Sequence, residues 1–159
     1  MNYSIQNLEN IIKESVMALL KEQPRLFKSD DDINERAVSG ELTSKISKYV
    51  KGYHINCEYN RMTDEHGNQI PKRIGLIPNE KNKSLVYPDI IIHRQEDGDH
   101  NLLIIELKLA WKNQGKKKDI KKLNCYINEL NYKYGLYLEL YEEGINEMRW
   151  FQETNENNT

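Results

Sequence analysis

Three charged residues stand where buried strands should be apolar. Residues 87–110, YPDIIIHRQEDGDHNLLIIELKLA, hold two runs of branched aliphatics, with Asp89 at the head of the first and Glu106 and Lys108 inside the second. An unpaired charge among such neighbours costs roughly several kcal/mol, so a chemical reason for keeping them is worth seeking. Side chains alternate along a strand, which puts Glu106 and Lys108 on one face with Leu102 and Ile104, and Leu103, Ile105, Leu107 and Leu109 on the other. Asp89 shares its face with Ile91 and His93. If the intervening QEDGDHN makes a tight antiparallel turn, the start of one strand lies beside the end of its partner, and Asp89 meets Glu106 and Lys108 at one edge. Two carboxylates converging there form a hard-oxygen site suited to Mg²⁺ or Mn²⁺. A lysine two residues on can contact a scissile phosphate or orient a water for in-line attack. The plain alternative is a salt bridge between Lys108 and Glu106 or Asp89.

The elements that must position these groups follow from hydrophobic periodicity. Ile5, Leu8, Ile12, Val16, Leu19 and Leu20 predict an amphipathic helix over 5–22, ended by Pro24. Val38, Leu42, Ile46 and Tyr49 predict a second helix over 33–50, with Gly52 as its stop. In YHINCEYN, residues 53–60, Tyr53, Ile55, Cys57 and Tyr59 alternate with polar residues, as in a strand with one buried face. Residues 61–84 read as a long polar loop. Strands are expected at 85–94 and 102–109, a helix at 117–131, and a strand pair at 134–141 and 145–152. The fold class is α/β, a central mixed β-sheet flanked by helices in the order α-α-β-β-β-α-β-β. Residues 1–152 read as one domain and 153–159 as a disordered tail.

Glu35 adds a further acid. At about 100° per residue it falls within the apolar stripe of the second helix, facing the core. The competing reading is a capping box, with Asp32 as N-cap and Glu35 folding back. The expectation here is the inward role. Six lysines lie between Lys112 and Lys122, with Asp119 the only acid among them. Lys112, Lys116, Lys117 and Lys118, beside Trp111, are where a phosphate backbone can be gripped, although a solvated helix start is the bland reading. His93, Glu58 and Arg61 are auxiliary candidates, His93 being more simply a satisfied histidine. The Pro71-Lys72-Arg73 segment is placed near a nucleic-acid backbone by composition alone.

Composition excludes other classes. With 159 residues, 30% charged and 38% hydrophobic, and a net charge of -2, there is no global case for nucleic-acid or membrane binding. The two cysteines, Cys57 and Cys125, lack metal or disulfide spacing. No phosphate-loop, nucleophile-elbow or zinc-helix motif occurs. The N-terminal stretch lacks a signal-peptide pattern and no run is long and apolar enough to span a bilayer, so a cytoplasmic protein is expected.

Asp89 preceded by Pro88, with Glu106-Leu107-Lys108, resembles the signature of the PD-(D/E)XK, or restriction-endonuclease-like, nuclease superfamily. NERAVSGEL resembles the helix before that core, and KKDIKKLNCYI followed by YKYGLYLEL the helix and strand after it, so the resemblance spans about 33–141. INCEYNR, PKRI, YPDIIIHR and LLIIELK look like small stand-alone bacterial members of unassigned role. No motif position departs from the pattern. The resemblance implies a restriction-endonuclease-like fold and a Mg²⁺- or Mn²⁺-dependent phosphodiesterase acting on nucleic acid, DNA above all. It implies Asp89, Glu106 and the Leu107 carbonyl as metal ligands, Glu35 as a further ligand or orienter, and Lys108 as the catalytic lysine. A homodimer is expected if both strands of a duplex are cut. The alternative is a non-catalytic nucleic-acid-binding or regulatory partner module on the same fold.

Overall fold

The computed structural model describes residues 2–76, 82–112 and 114–153. The elements are α1 (Ile5–Glu22), α2 (Glu35–Ile46), β1 (His54–Cys57), β2 (Arg61–Thr63), β3 (Gln69–Pro71), β4 (Arg73–Ile74), β5 (Ser84–Leu85), β6 (Ile90–His93), β7 (Asn101–Leu109), α3 (Lys116–Leu130), β8 (Tyr134–Tyr141) and β9 (Gly144–Gln152). Five strands form one mixed sheet in the order β1-β6-β7-β8-β9. Its pairings are antiparallel except β7 with β8, which run parallel and are linked by α3 as the crossover. The mixed α/β class expected from the sequence is the one observed.

Strand parity decides which helix covers which residue. Leu103, Ile105, Leu107 and Leu109 pack with Leu8, Ile12, Val16 and Leu19 of α1 and Val38, Leu42 and Ile46 of α2. Ile91, Ile104 and Tyr137 pack on the other face with Leu123, Tyr126 and Leu130 of α3. Both faces of β7 are therefore covered, which is why its sequence is a nearly continuous apolar run. Leu102 departs from the parity expectation and joins the α1–α2 cluster, at the end of β7 that pairs across the register shift between Ile92 and His93. No helix among the described residues is long and apolar enough to cross a membrane.

Several expected boundaries move for identifiable reasons. α2 is shorter than 33–50: Asn34 caps it by accepting from the Arg36 N–H, and past Ile46 the chain tightens into turns that end at Val50. Tyr49 consequently leaves the apolar stripe and is exposed. β1 stops at Cys57, itself exposed, because Glu58 takes a left-handed φ of 51° and turns its N–H to the carbonyl of Pro88 at 2.9 Å. The expected loop 61–84 contains the β2–β3 and β4–β5 ribbons. The first closes on Asp64, whose carboxylate accepts from the N–H groups of His66 and Asn68, with Gly67 at a φ of 81°. Residues 77–81 and 154–159, part of that loop and nearly all of the expected tail, lie outside the described residues. The single strand expected over 85–94 is two, β5 and β6, because residues 86–89 belong to no ladder and Pro88 has no N–H to give one.

Gly135 sets how closely α3 lies on the sheet. A Cβ there would come within 3.2 Å of Ile127 Cδ1, 3.4 Å of Leu123 Cδ2 and 3.5 Å of Phe151 Cβ. Gly135→Ala is expected to cost about 1–3 kcal/mol by overpacking, seen in urea unfolding as a lower midpoint with an unchanged slope.

Candidate functional site

The β6–β7 ladder ends at the pair Ile90↔Ile105. One residue further, Asp89 stands opposite Glu106, the juxtaposition that parity and an antiparallel turn predicted. Beyond the end of β6 the Leu107 N–H has no strand partner, and the Asp89 carboxylate accepts it through Oδ2 at 2.7 Å. Asp89 is thereby fixed to the central strand by its side chain.

Glu106 projects toward α3 and is 2% exposed. The Tyr126 hydroxyl donates to its Oε1 at 3.0 Å, and the Lys122 ammonium pairs with its Oε2. Lys122 also reaches Asp119 at 3.2 Å, and Asp119 in turn lies 3.3 Å from the Lys108 ammonium. Lys108 completes the chain with Glu35, at the start of α2, at 3.6 Å. Four carboxylates (Glu35, Asp89, Glu106, Asp119) against two ammonium groups (Lys108, Lys122) leave a formal excess of two negative charges.

Burial, together with this crowding of carboxylates, shows in the titration of the group. Burial pushes the Asp89 carboxyl up to about 6, helped by the charges of Glu35 and Asp119 and opposed by the Leu107 N–H and Lys122. Burial, then the Asp89 charge, pushes Glu106 up to about 8 against the pull of Lys122. Burial works against the charge on Lys108 and Lys122, but the carboxylates outweigh it: Asp119 and Glu35 raise Lys108, and Glu106 and Asp119 raise Lys122. Burial and the neighbouring Glu106 raise the Tyr126 hydroxyl well above its ordinary value.

The other residues singled out in the sequence divide. Glu35 is not part of a capping box, because Asp32 takes a left-handed conformation outside α2 and Asn34 supplies the cap. Glu58 stands at the rim: its N–H meets the Pro88 and Asp89 carbonyls, and its carboxylate accepts from Arg36 at 2.8 Å. Arg61 lies on β2 with its carbonyl holding the Lys72 ammonium. His93 sits at the far end of β6, about 13 Å along the strand from Asp89. It is buried against Asn56, His54 and Tyr59, with burial and then Lys72 pushing it down to about 4, so it is a packed histidine rather than a site residue. Lys72 is buried and its ammonium lies 4.8 Å over the Tyr59 ring, so it does not face outward as its segment's composition suggested; Arg73 does. Of the basic run, Lys112 is engaged by the Ile33 carbonyl and Asp32, and Lys116 by Glu147 and the Tyr137 ring. Lys117 and Lys118 are exposed.

Sequence reasoning missed Asp119, Lys122 and Tyr126. They recur at i, i+3 and i+7 on α3, one helical face beside the Leu123–Ile127–Leu130 stripe, and that spacing was the available signal. In the sequence Lys122 stands only as one member of a basic run.

Among the described residues, no three His, Cys, Asp or Glu side chains stand together as a ready metal cluster. The donor chemistry nevertheless suits a hard divalent cation, since Asp89 and Glu106 are oxygen donors whose burial and mutual repulsion are relieved by positive charge. No family model, no curated protein and no solved structure matches the chain.

Lys122→Ala strands Glu106 as an uncompensated buried charge, which costs about 3 kcal/mol when the carboxylate is ionised. Without Lys122 the folded state binds a proton at Glu106 that the unfolded chain releases, so the variant's stability falls as pH rises. Urea unfolding should show most of the loss at pH 9 and little of it at pH 6.

Proposed function

We propose that this protein hydrolyses phosphodiester bonds of nucleic acid, most readily DNA, at the end of the sheet where Asp89, Glu106 and Lys108 meet, on a restriction-endonuclease-like fold. The observation that carries this reading is a largely buried cluster in which four carboxylates face two ammonium groups, so that burial and mutual repulsion hold two of the acids above their ordinary pKa. A divalent cation would balance it. Asp89, Glu106 and the Leu107 carbonyl would hold Mg²⁺ or Mn²⁺, with Glu35 close by; when bound, the ion polarises a phosphoryl oxygen and lowers the pKa of its water.

The chain's own residues supply the rest. Lys108, kept charged by Asp119 and Glu35, binds the anionic phosphate and orients the attacking water. Asp119 and Lys122 hold Lys108 and Glu106 at their mutual spacing, and the Tyr126 hydroxyl fixes one Glu106 oxygen. Such pre-positioning is what converts a cluster of charges into a catalyst. Lys117 and Lys118 are exposed and, among the described residues, have no ion-pair partner, so they can meet backbone phosphates. A homodimer would bring two such centres to one duplex.

A second reading, a non-catalytic binding or regulatory module, is favoured by one observation: Lys122 and Tyr126 already satisfy Glu106 as they would in a structural ion pair.

The deciding experiment is cleavage of labelled duplex, single-stranded, branched and RNA substrates with Mg²⁺ or Mn²⁺, comparing wild type with Lys108→Ala. Metal-dependent cutting by wild type, reduced at least about a hundredfold in the variant, is expected for a charged group that meets the transition state. No cutting by either protein would shift the conclusion to the module. Metal binding has its own readout. Because Asp89 and Glu106 must lose their protons to bind a cation, Mn²⁺ should raise the melting temperature more at pH 8 than at pH 6, and not at all in Asp89→Ala.

A further inference from the structure

Among the described residues Tyr87 is the most exposed of the large hydrophobic side chains, at 55%, and it stands two residues before Asp89. Its ring makes no hydrogen-bond, ring or cation contact among the described residues. Of the other tyrosines, Tyr126, Tyr132, Tyr134 and Tyr137 are buried, Tyr3, Tyr53, Tyr59 and Tyr141 are half-buried, and Tyr49 alone is also exposed. The backbone beneath it is held on both sides. Val86 is buried and its N–H donates to the Lys72 carbonyl at 3.1 Å; Pro88 is buried and its carbonyl accepts from Glu58 at 2.9 Å. A large aromatic ring thus projects into solvent from a fixed support, about 7 Å along the chain from an acid of the site.

Its surroundings combine apolar and basic side chains with one ion pair, Lys83 with Glu129, whose carboxylate also accepts the Gly75 N–H. Leu85, two residues earlier, is the next exposed apolar side chain on the same strip, and Arg73 is its cross-strand partner in the β4–β5 ribbon. Lys118 and Lys121 of α3 lie on the helical edge that carries Cys125, whose Sγ meets the Gly75 carbonyl just past β4. Both lysines are exposed and neither has an ion-pair partner among the described residues. An apolar strip with an upright aromatic ring, bordered by unpaired cations and ending at the acids, matches a polyanion whose rings are accessible.

We propose that Tyr87 is a stacking platform for an unpaired base adjoining the phosphate held at Lys108, which makes single-stranded DNA the preferred ligand. This rests on the nuclease reading for the position of the phosphate. In a duplex each base is already stacked and paired inside the helix, so an exposed ring can stack only on a base that is free. Arg73, Lys118 and Lys121 would follow the backbone on either side.

The test uses the full wild-type chain in EDTA, so that binding is read apart from metal-dependent cutting. A single-stranded oligonucleotide carrying 2-aminopurine, and the same sequence as a duplex, are titrated by fluorescence. The single strand should bind more tightly than the duplex and its 2-aminopurine emission should be quenched on binding. Tyr87→Ala should weaken single-strand binding on the order of tenfold and abolish the quench, while Tyr87→Trp retains both and duplex binding is unmoved. An unchanged quench in Tyr87→Ala, an equal loss for duplex and single strand, or no single-strand binding would each overturn the platform. Failure of wild type to cut in the separate cleavage assay, with stacking intact, would remove the nuclease reading and leave the platform standing.

Discussion

Glu106 lies on the central strand, in register with Tyr137 of β8 and one residue past the end of the β6 ladder, with 2% of its surface exposed. A carboxylate in that position must be protonated, paired or bound to a cation, and the surrounding structure supplies the means for each. Lys122 and Tyr126 reach it only because α3 runs close over the sheet, and α3 runs close because Gly135 has no side chain to hold it off. Asp89 reaches it only because β6 begins one residue later and leaves the Leu107 N–H to be taken by a side chain. Asp119 then ties Lys122 to Lys108, and Lys108 ties the group to the first turn of α2. One buried acid therefore links both helical layers through the sheet between them.

How much of this was legible in the sequence depends on what kind of rule each feature obeys. The meeting of Asp89 with Glu106 and Lys108 follows from the two-residue period of strands and from a short turn, both local, so it could be derived. The role of Lys122 could not, because a lysine in a basic run looks solvated until the register of α3 against the sheet is known. Glu35 was placed near the site for a reason that was half right: it faces inward, but from the first residue of a helix that starts later than its periodicity suggested, with Asn34 as cap. His93 shows the converse limit. Parity correctly put it on the Asp89 side of β6, yet position along the strand separated the two. The ribbons within 61–84 were hidden because two- and three-residue strands carry no period, although the Asp64–Asn68 turn that closes one of them had ordinary turn chemistry.

Lysines half-buried or buried in this fold meet environments of opposite sense. Lys108 and Lys122 lie among carboxylates, and their charge is reinforced. Lys72 is 1% exposed with a carbonyl and the face of Tyr59 for company, and burial pushes it down to about 8. Its ammonium ties the β2–β3 ribbon to the start of β4, so the same residue type serves as cross-link in one place and as counter-charge in the other. The difference lies in what each lysine was given to face.

The outermost strand carries a consequence of its own. β9 is nine residues long and pairs on one side only, with β8, so its outer backbone edge is a template on which a foreign strand could add. Arg149 projects from it into solvent, Glu147 is pinned by Lys116, and the ladder to β8 is dislocated between Glu139 and Leu140. Charge along an edge and a break in its regularity are what keep such a strand from nucleating intermolecular β-structure. At this margin of the sheet, the protection against association between molecules thus rests on residues with no part in the chemistry at its centre.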